Sequence, residues 1–207
     1  LHENSSGASC TAIGTFALEN NTTTDNNTAV GRNCMAANTT GTGNVAVGSN
    51  ALDANTTASN NVACGQNGLS DNTTGSDNTG IGSAALGSNT TGSSNVAVGR
   101  RALIENTTAS NNTAVGTDSL KENTTATNNT AVGSNSLAAN TTGGDNTGIG
   151  LLALGANTTG VSNTAVGSVS LTSNTTGGNL TAIGRSALES NTEGNHNTAV
   201  GKDALKA

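Results

Sequence analysis

Large apolar side chains are scarce in this chain. Tryptophan, tyrosine and proline are absent, and phenylalanine occurs once, at Phe16. Leu, Ile, Val and Phe together make up 33 of 207 residues, about 16%. An ordinary globular core is doubtful at that level. Basic residues are scarce too. Seven Lys and Arg against thirteen Asp and Glu, with a pI near 4.6, argue against a nucleic-acid surface. No apolar run approaches the roughly 20 residues needed to span a bilayer, which argues against membrane insertion of this segment. No stretch reads as a signal peptide or basic targeting sequence. The chain begins at Leu1 rather than Met, so it reads as a processed or internal piece, and any such signal would lie in the missing part.

What the chain has in quantity is 33 Asn, 36 Thr and 28 Gly. Composition alone reads as low complexity or disorder. The net charge of −6 is modest, however, so self-repulsion does not keep it unfolded.

Order along the chain overrides the composition. Gly recurs at 14, 31, 48, 65, 82, 99, 116, 133, 150, 167, 184 and 201, a spacing of 17 every time. The consensus is N-T-A-V-G-x-x-A-L-x-x-N-T-T-G-x-x, as in Asn27 through Gly43, and its positions are numbered 1 to 17 from Asn27. Position 5 is always Gly. Position 9 is Leu from Leu1 to Leu205, with Met35 the one exception, and position 12 is Asn from Asn4 to Asn191. A disordered linker has no reason to hold such a register. A helix is excluded by two or three Gly per copy, by the β-branched residues and by the absence of a 3.6-residue apolar pattern. What remains is an all-β parallel solenoid with one repeat per coil and about twelve coils. It would stand on the order of 55–60 Å long at strand spacing.

Alternation in Thr28-Ala29-Val30-Gly31 separates two faces. Positions 2 and 4 (Thr or Val, then Val or Ile) read as the interior, completed by the Leu at position 9. Positions 3 and 5 (Ala or Gly, then Gly) read as the outer face. The invariant Gly fits a corner that needs φ > 0 or a close backbone approach. The Asn at positions 1 and 12 are expected to form amide ladders, and Thr at 13 and 14 to stack through their hydroxyls. Two large aliphatic side chains per coil fall short of the cost of ordering it. That shortfall suggests a homo-oligomer closed through the Ala/Gly face. The chain starts at position 9 and ends at position 11 with no capping sequence. It therefore reads as one uncapped solenoid over residues 1–207, a slice of a longer array or filament whose raw edges invite end-to-end pairing.

The N-T-A-V-G strand followed by A-L and N-T-T-G resembles the head repeat of trimeric autotransporter adhesins. It also resembles the repeat of phage and algal-virus fibre-like proteins and of bacterial surface proteins. The resemblance covers essentially the whole chain. It implies a left-handed parallel β-roll, a homotrimer, and a place on a fibre or adhesin. No ligand site carries over with it.

Chemical signals are sparse. Cys10, Cys34 and Cys64 sit in three different columns with no metal-ligand spacing, and read as small substitutions. His2 and His196 occupy unrelated positions. Asp25, Asp77 and Asp145 lack the glycine-rich nonapeptide of calcium-binding rolls. No catalytic, cofactor or metal residues are assigned. Position 12 spells Asn-x-Ser/Thr at Asn4, Asn21, Asn38, Asn55, Asn72, Asn89, Asn106, Asn123, Asn140, Asn157 and Asn174, a possible array of glycosylation sites. Glycans about 4.8 Å apart would crowd, so a structural ladder that happens to spell the acceptor motif is preferred. Ice binding would need an outward Thr-x-Thr array, whereas the Thr at 13 and 14 are adjacent and face opposite ways. The expectation is a non-enzymatic structural protein. It would be the shaft or head of an extracellular, cell-surface or virion fibre, self-associating as a homotrimer or end to end. A surface-binding module, adhesive or ice-binding, is the alternative.

Overall fold

A computed structural model describes residues 3–206. Leu1, His2 and Ala207 lie outside the described residues, and with them the first member of the Leu column and one of the two histidines.

Twelve strands of three residues, β1 (Thr11–Ile13) to β12 (Thr198–Val200), form one parallel sheet in sequence order. Each strand pairs with the next at identical repeat positions. β6 (Val96–Val98) meets β7 (Thr113–Val115) through Val96–Thr113, Ala97–Ala114 and Val98–Val115. The chain is therefore a parallel β-solenoid that advances one strand per 17-residue repeat, and no helix occurs among the described residues.

The coil closes through left-handed backbone at fixed places. Position 5 Gly has φ between 124° and 142°. A Cβ there would lie about 2.5 Å from the carbonyl oxygen of the next coil's Gly, as at Gly99 and Gly116. Both reasons expected from the sequence, positive φ and close approach, therefore apply at once. Positions 7, 9 and 17 also have positive φ. The position 9 side chain is a Leu (Met35 once) with φ between 48° and 54°.

Between strands, each coil hydrogen-bonds its neighbours in both directions. Positions 2, 9 and 13 donate backbone N–H forward, as in Thr113 to Asn129 at 2.8 Å, Leu103 to Ser119 at 3.0 Å and Thr90 to Thr107 at 2.8 Å. Positions 5 and 7 donate backward, as in Gly116 to Val98 at 2.7 Å and Asp118 to Arg100 at 3.0 Å.

The core reverses one expectation. Position 3 Ala is buried in coil after coil, from Ala29 to Ala182. The position 4 side chains point out: Ile81 is 40% exposed, Val47 39% and Ile149 39%. The interior is built from Ala at 3, a small residue at 8 and Leu at 9. Space decides this. The position 9 Leu reaches across the coil to the next strand, so a Cβ on Gly80 would lie 3.3 Å from Leu69 Cγ. No room remains there for a branched side chain, and the β-branched residues take the outer side. The Ala column is internal, so the interface expected through an Ala/Gly face does not exist.

Asn completes the core. From Asn21 to Asn174 the position 12 side chains are fully buried. Each amide donates to its own coil's position 15 carbonyl and to the preceding Asn Oδ1. Asn106 reaches Ala109 O at 3.0 Å and Asn89 Oδ1 at 2.8 Å, and Asn123 donates in turn to Asn106 Oδ1 at 3.0 Å. The position 1 Asn form a different ladder. Asn112 donates its amide to Ala126 O at 2.8 Å, while its Oδ1 accepts the backbone N–H of Asn129 at 2.9 Å. The position 15 carbonyl thus collects both ladders, as Gly41 O does from Asn38 and Asn27. Leu180 replaces Asn in the position 1 column and is buried there.

Candidate functional site

The outer face of the sheet is the most distinctive surface. It carries two straight columns. One is Thr at position 2, with Val at 45, 62 and 96. The other is Val or Ile at position 4, with Cys64 once. None of these residues is charged, and they are exposed or half-buried throughout. Apolarity read from the sequence alone places this face inside, and the structure turns it out. The signal that marks it as outer is the Ala-only column between the two: a position that admits nothing larger lies where space is short.

A hydroxyl-rich edge runs beside it. The position 13 Thr donate their hydroxyls to the next coil's position 13 carbonyl, as Thr90 does to Thr107 O at 2.9 Å. Hydroxyl-to-hydroxyl stacking is not the arrangement found. The position 14 Thr are exposed, and their hydroxyls make no hydrogen bond among the described residues. At position 16, Ser oxygens accept the preceding coil's backbone N–H, as Ser93 Oγ does from Ser76 at 3.1 Å.

All three cysteines are free. Cys34 is buried and donates to Ala46 O at 3.2 Å. Burial pushes its thiol up to about 11. Cys10 is half-buried and donates to Thr24 O at 3.2 Å. Cys64 is exposed in the outer column between Val47 and Ile81.

Charge gathers at one corner. Arg101 grips Asp118 with two bonds of 2.8 Å, and Arg100 reaches the same carboxylate at 3.5 Å. The Arg101 hydrogen bond holds the Asp118 carboxyl below its ordinary range. At Asp53 burial pushes the carboxyl up, aided by Asp71, and its Oδ1 is buried without a partner.

The structure does not bring the other sequence candidates together. His196 is exposed at a loop, and Asp25, Asp77 and Asp145 are exposed at separate coils. Among the described residues, no three His, Cys, Asp or Glu side chains converge as a metal site. No described helix is long and apolar enough to cross a membrane. A shallow hollow beside Leu188, Asn191, Gly194 and Leu205 is the open side of the last coil. The Asn-x-Ser/Thr asparagines form the buried ladder, and only Asn4 among them is half-buried. No family model, curated protein or solved structure matches this chain.

Proposed function

We propose that this chain is a non-enzymatic structural protein, a stiff segment of the shaft or head of an extracellular fibre, filament or adhesin. The observation that carries the reading is the unbroken ladder from Asn21 to Asn191, which ties every coil to the next at one repeat position. Such a chain uses its side chains to hold one coil in register on the next, and the variable positions 6, 7, 10 and 11 repeat no chemical constellation from coil to coil.

Self-association belongs to the same reading, through the uncharged Thr/Val/Ile face. Twelve strands make a strip on the order of 500 Å², less than the roughly 800 Å² per partner of a standard interface. Three copies meeting along one axis would bury on the order of 1,500 Å² over the whole trimer, still about 500 Å² per chain, which sets the expected association at the weak end of specific interfaces. In that homotrimer the three Cys64 thiols lie at one height. A short bis-maleimide should then link chains in dilute solution, and Val98→Lys with Val115→Lys should abolish the link while the strand signal in circular dichroism stays. Uncrosslinked single rods by light scattering and electron microscopy would overturn the trimer. End-to-end stacking would appear in the same images as filaments of varying length.

A second reading is favoured by one observation. The sheet presents outward Thr-x-Val/Ile in nine of its twelve strands, an array regular in both directions of the kind that can order water as ice does. The adjacency of Thr at 13 and 14 is no objection, because the array is built from positions 2 and 4. Thermal hysteresis of the monomeric chain, lost in Thr113→Lys, would establish it; its absence would remove it.

A further inference from the structure

We infer that N-glycosylation of the position 12 asparagines and folding of this solenoid exclude one another, so the chain matures only where the array escapes oligosaccharide transfer until its coils have closed. Ten acceptor motifs, from Asn21 to Asn174, have their asparagines at 0% exposure. Transfer from a polyprenyl-diphosphate-linked oligosaccharide would join sugar C1 to Asn Nδ2. It would break the C1–O bond to the diphosphate, which departs, and it would release one Nδ2 proton. In the folded coil both Nδ2 protons are committed. Asn89 spends one on Gly92 O at 2.9 Å and the other on Asn72 Oδ1 at 2.7 Å. Asn157 does the same with Gly160 O at 3.0 Å and Asn140 Oδ1 at 2.8 Å. Replacing either proton removes a rung and places a sugar in a gap of about 4.8 Å between coils. The exclusion runs both ways. A closed coil hides the nitrogen from the enzyme, and a modified nitrogen stops the coil from closing.

The chain contains its own control. Acceptor motifs also occur at position 17, at Asn26, Asn111, Asn128 and Asn179, each followed one residue beyond its neighbour by Thr. These four asparagines are exposed. They sit on the same rod with the same chemistry; Asn128 donates one amide proton to Asp145 Oδ1 at 3.1 Å at the surface, and a sugar on any of the four leaves the buried ladder intact. The hydroxyl residue of each buried motif offers a second handle. The Thr at positions 23, 40, 57, 74, 91, 108, 125, 142, 159 and 176 are exposed and make no side-chain hydrogen bond among the described residues. Thr→Val at all ten removes the buried motifs without touching the ladder.

The test offers the full chain to a purified oligosaccharyltransferase with its polyprenyl-diphosphate donor, once as the folded rod and once freshly diluted from urea. Sites are mapped by mass spectrometry, and folding is read by circular dichroism and protease resistance. On the folded rod, Asn89, Asn106 and Asn123 should be occupied at least about tenfold less than Asn111 and Asn128, since transfer would have to wait for local opening. On the unfolded chain the two classes should be modified alike, and the product should fail to recover its strand signal. The Thr→Val chain should recover it while carrying sugar at Asn111 and Asn128. Comparable occupancy of buried and exposed sites on the folded rod would overturn the inference, as would a glycosylated position 12 chain that refolds. The folded-rod comparison decides the matter even if the tenfold variant does not fold.

Discussion

At the scale of single residues, the backbone departs most from ordinary preferences at positions 5, 7 and 9. Gly116 has φ 134° and no space for a Cβ. Gly116→Ala should cost roughly 3 kcal/mol or more, read as a lower urea midpoint. Val169 is the opposite case. A β-branched residue holds φ 55° in a column where Asn stands at 33, 50, 67 and 135. Val169→Asn should stabilise the fold by about 1 kcal/mol, read as a higher urea midpoint, because Asn tolerates that conformation. The thiols separate by environment. At neutral pH iodoacetamide should modify Cys64 first and Cys34 only on unfolding. The Cys34 thiol titrates near 11 when folded against 9.0 unperturbed. Its contribution to stability is therefore whole below pH 9 and lost as pH rises through about 11. An alkaline melt compared with Cys34→Ala measures that loss.

At the scale of the element, strand and coil were unequally legible. The repeat length, the parallel pairing, the role of Gly at position 5 and the Asn ladder at position 12 could all be read from the columns. Which side of the strand faces in could not. Three residues, Thr-Ala-Val, give only one alternation, and apolarity assigns the larger pair to the interior. The outcome turned on a residue eleven positions earlier, the position 9 Leu of the preceding coil, whose reach to the next strand leaves room only for Ala or Gly, as Leu69 does beside Gly80. One pair of substitutions tests the assignment. Ala114→Val should cost about 1–3 kcal/mol by overpacking against Leu103. Val115→Ala, on the outer side, should change stability by less than about 1 kcal/mol. The reverse order in urea titrations would mean that the strand faces the other way. The outer face was illegible for the same reason: its residues look like a core when read one strand at a time.

At the scale of the whole molecule, every coil offers its neighbours the same rungs, so stability accumulates by contacts between adjacent coils. Removal of residues 110–126, one whole repeat, should leave a folded rod about 4.8 Å shorter. Removal of residues 110–125 sets Leu, Asn and Gly out of column and should expose the chain to protease at the junction. Circular dichroism and limited proteolysis distinguish the two. The direction of the rungs has a further consequence. Hydrogen bonds such as Thr113 to Asn129 and Asn106 to Asn89 lie between successive coils, along the length of the rod. A compressive or bending load presses whole coils together and is shared by all of them. A pull on the chain ends is carried by every coil in series, and the terminal coils, held by a neighbour on one side only, yield first. In the structural role proposed above, the same molecule would resist compression as a strut and would lengthen under tension one coil at a time.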